Sequence, residues 1–237
     1  GTELAIAEMI RSGTTTFSDM YFFPNVCAAT AQRLGMRCQI AFPVFDFPSA
    51  WGLDADEYIS KGLALRDDFK HSTLVTVVFG PHAPYTLCEA NLAKIATLAA
   101  ELDAAIHIHL HETSGEVLQA VEQNGERPLY TLQRLGLLGP RTQCVHMTDL
   151  GEQDIALLAA TGAHVVHCPQ SNMKLASGTC RVSDLLANGV HVALGTDSAA
   201  SNNGLNLFSE MKAAALLAKL HSRDTTALPA ANALAMA

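Results

Sequence analysis

The chain has 237 residues, of which 49% are hydrophobic, 16% charged and 6% aromatic, and it carries a formal net charge of −8. That length allows a substantial buried core, in one large domain as readily as two, and the composition suits a compact Ala/Leu/Val-rich core rather than a disordered or fibrous chain. An acidic balance without any Lys/Arg cluster argues against a nucleic-acid partner; no apolar run approaches the ~18 residues that span a bilayer and no signal-like segment opens the chain, so the expectation is a soluble, cytoplasmic protein.

The chain opens on Gly1 and runs at once into "TELAIAEMIRSG". Leu4, Ile6, Ala7 and Ile10 recur at helical spacing, with Thr2 in the place of a cap. At the other end "TTALPAANALAMA" stops inside a helical pattern with no terminating signal. Both ends read as cuts through something larger.

Between them, short β-rich runs alternate with amphipathic stretches. The expected strands are 14–20, 38–45, 74–82, 104–112, 142–149, 164–172 and 190–198. Helices are expected at 89–103 and 152–162, and the interval 46–72 is expected to hold a loop before its helix. Alternation of this kind predicts a parallel sheet, because parallel neighbours need a crossover. "LVTVVF" and "VHVALG" are apolar on both faces, as strands covered by helices are.

Each strand also ends in reactive residues: Ser18 and Asp19, His82, His109 and Glu112, His146, His167, Asp197. In a (β/α)8 barrel the carboxyl ends of all strands converge on one mouth, where the active site lies. A doubly wound open sheet is the alternative, but it concentrates its site at one crevice. The expectation is therefore an α/β chain, a (β/α)8 TIM-type barrel with its first strand missing.

Six cysteines, Cys27, Cys38, Cys88, Cys144, Cys168 and Cys180, show no C-x-x-C spacing. They suit reduced thiols packed as small apolar groups better than a disulfide frame or a cysteine metal site.

His109 and Asp197 form the best metal-ligand pair, since imidazole and carboxylate suit zinc or another divalent metal. The plain alternative for Asp197 is a capping carboxylate before "SAASNNG". In "HIHLHE", alternation sets His107, His109 and His111 on one face and Ile108 and Leu110 on the other. His107 reads as a deeper structural residue, and His111 as a mouth residue without a role. Glu112 can turn over the mouth and shuttle protons beside a metal. His82, in "GPHAPY", is either a turn residue or a substrate contact. His146 acts as a general base, polarises the attacking water, or is a satisfied buried histidine, and the same choice holds for His167. His164, His191, His71 and His221 are not expected to be ligands. The chain has no G-x-S-x-G elbow, Walker loop or G-x-G-x-x-G turn, which leaves metal-assisted hydrolysis.

"GTELAIAEMIRSGTTTFSDM", "GPHAPYTL", "IHLHET", "VHCPQSNMKLASG" and "GTDSAASNNGLNLFSEM" together resemble the amidohydrolase superfamily, in its branch of 5-methylthioadenosine/S-adenosylhomocysteine deaminases. The similarity runs along almost the whole chain, and "GTDSAASNN" after "HCPQSNMKLASG" is its sharpest part. The resemblance implies zinc-dependent hydrolytic deamination at position 6 of the adenine ring of a small-molecule purine nucleoside, with release of ammonia. It implies that His109 and Asp197 bind the metal, that Asp197 also accepts the water's proton, and that Glu112 binds the substrate and exchanges a proton with its ring nitrogen. His82 matches a substrate-contacting histidine. Residues 1–237 would then be the catalytic barrel segment, strands two to eight.

Two departures stand out. Many relatives place a histidine three positions before His146, where this chain has Gln143. The H-x-H pair of the first strand, the glutamate expected ahead of residue 1 and the flanking β-sandwich have no counterpart. A chlorohydrolase or another aminohydrolase acting on a triazine or purine is one alternative; a non-catalytic segment with an incomplete metal site is another. The oligomeric state stays open, a homo-oligomer included.

Overall fold

In the computed structural model, which describes residues 1–237, helix α1 (Thr2–Arg11) starts one residue earlier than a Thr2 cap would allow. Gly1 holds the cap position and its carbonyl accepts the Ala5 N–H at 3.0 Å. Thr2 therefore lies inside the first turn, and no side-chain cap forms. The chain then divides into two compact units, Gly1–Ile108 and His109–Ala237, with the division inside one strand.

The first unit continues with β1 (Thr16–Asp19), α2 (Pro24–Leu34), β2 (Arg37–Val44), α3 (Ala55–Asp68), β3 (Val75–Pro81), α4 (Glu89–Glu101) and the start of β4 (Ile106–Leu110). Each strand pairs in parallel with the next, as in Phe17 with Cys38, Phe42 with Phe79 and Phe79 with Ile106. The expected loop over 46–54 is present, and Asp54 ends it by accepting the Glu57 N–H at 2.9 Å and capping α3.

β2 is buried on both faces: Ile40, Ala41, Phe42 and Val44 are all fully enclosed. That is what an apolar strand under crossover helices should show. α3 meets it through Gly62, where an added Cβ would stand 2.2 Å from the Phe42 ring. A hydrogen at this one helix position lets the aromatic ring lie flush against the backbone.

The second unit holds the end of β4, α5 (Ser114–Asn124), α6 (Pro128–Arg134), β5 (Thr142–His146), α7 (Glu152–Thr161), β6 (His164–His167), α8 (Pro169–Lys174), α9 (Val182–Ala187), β7 (Val192–Leu194), α10 (Ala199–Asn202), α11 (Leu207–Ser222) and α12 (Ala230–Ala235). β5, β6 and β7 are parallel, with Cys144 opposite Val165 and Val165 opposite Val192. Leu129, Leu132, Leu158 and Leu185 fill the core between these strands and their helices.

Strands alternate with helices as expected, and all seven expected strands exist, but six of them are shorter than expected, the last two most of all. The run 164–172 stops being strand at His167, because Pro169 has no N–H for a ladder and opens α8 instead. The run 190–198 is extended only over Val192–Leu194. At Gly195, just beyond β7, a Cβ would stand 3.0 Å from Val166 Cγ1 and 3.1 Å from the Cys168 sulfur, so any larger residue would press on these two side chains. The six cysteines are all free thiols, and five of them are buried.

Candidate active site

The site is assembled in the second unit from the carboxyl ends of its strands. β4 ends at Leu110, and the backbone then breaks out of extended geometry at His111, with φ of 50°. That break carries Glu112 off the strand.

His111 is not a mouth residue but a fully buried pin. Its Nε2 accepts the Leu129 N–H at 3.2 Å, so its proton sits on Nδ1, which donates to the Asp149 carbonyl at 2.9 Å. Burial depresses its pKa to about 4 and keeps the ring neutral. The Asp149 corner is locked from outside by Arg127, which donates to the Asp149 carboxylate at 2.7 Å and lies 2.8 Å from the buried Asp154.

Glu116 holds the same segment from beneath. Its carboxyl oxygens accept the N–H groups of His111 at 3.1 Å and Glu112 at 2.8 Å, while Thr113 caps α5 by accepting the Glu116 N–H. Burial raises Glu116 to a pKa of about 7. Glu112 is itself raised, first by burial and then by the Asp197 charge, with His109 opposing.

β5 delivers His146, which is 1% exposed. His146 and Met147 both have positive φ, 78° and 50°, a conformation costly for side chains of this size. The strain turns the imidazole to stack on the His109 ring, at 5.5 Å between centroids and 23° between planes. Its Nε2 lies 3.9 Å from Glu112 Oε2, and its Nδ1 lies 3.0 Å from the Asn172 amide nitrogen. Burial first, then the neighbouring His109, lowers the His146 pKa to about 4.

After β7, Asp197 also adopts positive φ, 58°. One carboxylate oxygen accepts both the Ser171 hydroxyl at 2.6 Å and the Ser201 hydroxyl at 2.9 Å. Burial pushes its pKa up, but these hydroxyls, Ser171 foremost, help bring the net value below the usual range. Behind it, Glu210 is fully buried and accepts from the Gln170 side chain and the Asn202 amide, each at 2.6 Å.

His109, Glu112, His146 and Asp197 are thus electrostatic neighbours. Other candidates lie elsewhere. His82 belongs to the first unit, where its ring lies tilted against Phe45, 4.9 Å between centroids, and its Nδ1 lies 3.3 Å from the Thr86 hydroxyl. His107 is buried with its Nδ1 3.2 Å from the Ser18 hydroxyl, in keeping with a structural role. His167 is buried with an unpartnered Nδ1, and burial lowers its pKa to about 3. His164 and His191 stack on each other, and His71 and His221 are exposed.

Sequence reasoning missed Ser171, Asn172, Glu116, Glu210 and Arg127. Only Glu116 carried a local signal, the Thr113-x-x-Glu spacing of a capping box. The others act through partners far along the chain.

His109 and Asp197 are nitrogen and oxygen donors of the kind a divalent transition metal takes. No group of three His, Cys, Asp or Glu side chains is arranged to hold an ion. Zinc sites use three or four protein donors, and His109 and Asp197 are two residues of the type they use. No helix is long and apolar enough to cross a membrane.

An amidohydrolase family profile matches residues 1–237. The chain is 55% identical to a 5-methylthioadenosine/S-adenosylhomocysteine deaminase of Teredinibacter turnerae, over 100% of this chain and 54% of that protein. It is 43% identical to a 5'-deoxyadenosine deaminase of Methanothermobacter thermautotrophicus, over 100% of this chain and 56% of that one. The solved structure of an adenosine deaminase from Xanthomonas campestris with bound zinc superimposes with a TM-score of 0.98 at 47% identity, covering 100% of this chain and 54% of that chain. This chain therefore spans about half the length of these relatives.

Proposed function

This chain belongs to the amidohydrolase family, and on that premise we propose that it carries the reacting residues of a zinc-dependent deaminase acting on the adenine ring of 5-methylthioadenosine/S-adenosylhomocysteine-type nucleosides. The reading rests above all on one observation: Glu112 and Asp197 are neighbouring carboxyls in different surroundings, Asp197 accepting the Ser171 and Ser201 hydroxyls and Glu112 lying 3.9 Å from His146 Nε2. Environments that separate two carboxyls in this way assign them different proton roles. The relatives' names support the adenine nucleoside, and the zinc of the Xanthomonas campestris structure supports the metal.

Asp197 is the proton acceptor, because a carboxylate held ionised can take the proton of an attacking water. Glu112 is the proton carrier to the ring nitrogen, since burial raises its pKa and so eases its protonation. His146, neutral and held at 3.0 Å by the Asn172 amide, orients the reacting groups through its ring nitrogens rather than through charge. His82 is the proposed substrate contact. His109 and Asp197 would hold the metal. A divalent ion there makes water a better nucleophile at neutral pH and stabilises developing negative charge.

A panel of 5-methylthioadenosine, S-adenosylhomocysteine, adenosine, guanine and a chlorotriazine, assayed for ammonia and chloride with the complete protein, tests the reading. Ammonia from the adenine nucleosides supports it; turnover confined to the triazine or guanine contradicts it.

A further inference from the structure

Three consecutive residues of the short helix α8 each take hold of a different part of the site. Gln170 donates to Glu210 at 2.6 Å, Ser171 donates to Asp197 at 2.6 Å, and the Asn172 amide meets His146 at 3.0 Å. Lys174 adds a 2.8 Å bond to the Ala200 carbonyl. Ser171 and Asn172 are fully buried. The segment is therefore fixed on several sides, and the Asn172 side chain cannot swing clear of the imidazole.

We propose that Asn172 is a positioning residue that sets the ring tautomer of His146, keeping the proton on Nε2 and turning that N–H toward Glu112. The contact with Asn172 carries it. The amide Nδ2 carries only hydrogens, so a bond from it to Nδ1 requires a lone pair there. On the other side of the ring Nε2 faces Glu112 Oε2 at 3.9 Å.

Asn172 accepts a cost in this arrangement, because its Oδ1 is buried without a partner. A residue retained only to fill space would serve as well without that orphaned acceptor. For the reaction, the consequence is that His146 donates a hydrogen bond into the site and is not the base. That kinetic consequence rests on the deaminase reading; the tautomer itself does not.

The decisive observation is the side-chain 15N NMR spectrum of His146 in the complete protein. The expected pattern is an unprotonated Nδ1 and a protonated Nε2; a proton on Nδ1 overturns the proposal. Asn172→Asp keeps the shape but offers only acceptors at pH 7. It should move the proton to Nδ1 and lower kcat by about 100-fold with little change in KM. An unchanged spectrum and unchanged kcat in a folded Asn172→Asp protein also overturn it. If that variant does not fold, the unsubstituted protein's spectrum alone decides. Absence of deaminase activity in the unsubstituted protein, with the tautomer as stated, would instead remove the functional reading and leave the positioning role.

Discussion

Nε2 of His146 stands 3.9 Å from Oε2 of Glu112, and both side chains are set there by backbone that has left strand geometry, at His146 itself and at the His111 that precedes Glu112. Each bend is held by buried hydrogen bonds rather than by the strand ladder. The two side chains thus stand on corners of positive φ.

Glu112→Gln keeps the size of the side chain and removes its proton. In the complete protein it should lower deamination at least about 100-fold. Metal content by elemental analysis should not change, since His109 and Asp197 remain. Undiminished turnover would remove Glu112 from the mechanism.

Glu116 predicts a pH effect on stability with a definite sign. Its folded pKa is about 7, above the ordinary glutamate value, so between about pH 4.5 and 7 the folded state binds more protons than the unfolded state. Its contribution is present below the unfolded pKa and is lost as pH rises through 7, at no more than about 1.4 kcal/mol per pH unit. Glu116→Gln stays neutral. Chemical denaturation across this range should therefore show the variant gaining on the unsubstituted protein as pH rises; parallel curves would contradict the assignment.

Arg127 neutralises the buried Asp154 and the half-buried Asp149. Arg127→Met leaves Asp154 charged and enclosed, and should destabilise the fold by about 3 kcal/mol. Adding Asp154→Leu should restore part of the loss, because the stranded charge disappears with it. A single-variant loss below about 1 kcal/mol would show that the pair is solvated.

At Gly62 the steric argument is direct. Gly62→Ala places a methyl group 2.2 Å from Phe42, and either the ring or α3 must move. The expected cost is about 1–3 kcal/mol. Combining it with Phe42→Leu, which vacates ring volume, should cost less than the two single losses added together; strict additivity would mean the two residues do not meet.

What could be read in the sequence was whatever depends on local order. The alternation of "HIHLHE" places Ile108 and Leu110 in the core, and strand–helix alternation predicts every strand. His111 escaped because its partners, the Leu129 N–H and the Asp149 carbonyl, are set by tertiary packing. Asn172 escaped for the same reason, and also because "HVVHCPQSN" reads as a continuous strand until the proline is seen to end it at His167. Asp197 was visible as a charge at a strand end, but the two hydroxyls that hold it come from separate helices, α8 and α10.

The most direct measurement is ammonia release from 5-methylthioadenosine by the complete protein, before and after removal of divalent metal by chelation. Release that disappears on chelation and returns with added zinc is the predicted result. No ammonia from any adenine nucleoside in the zinc-loaded protein would contradict it.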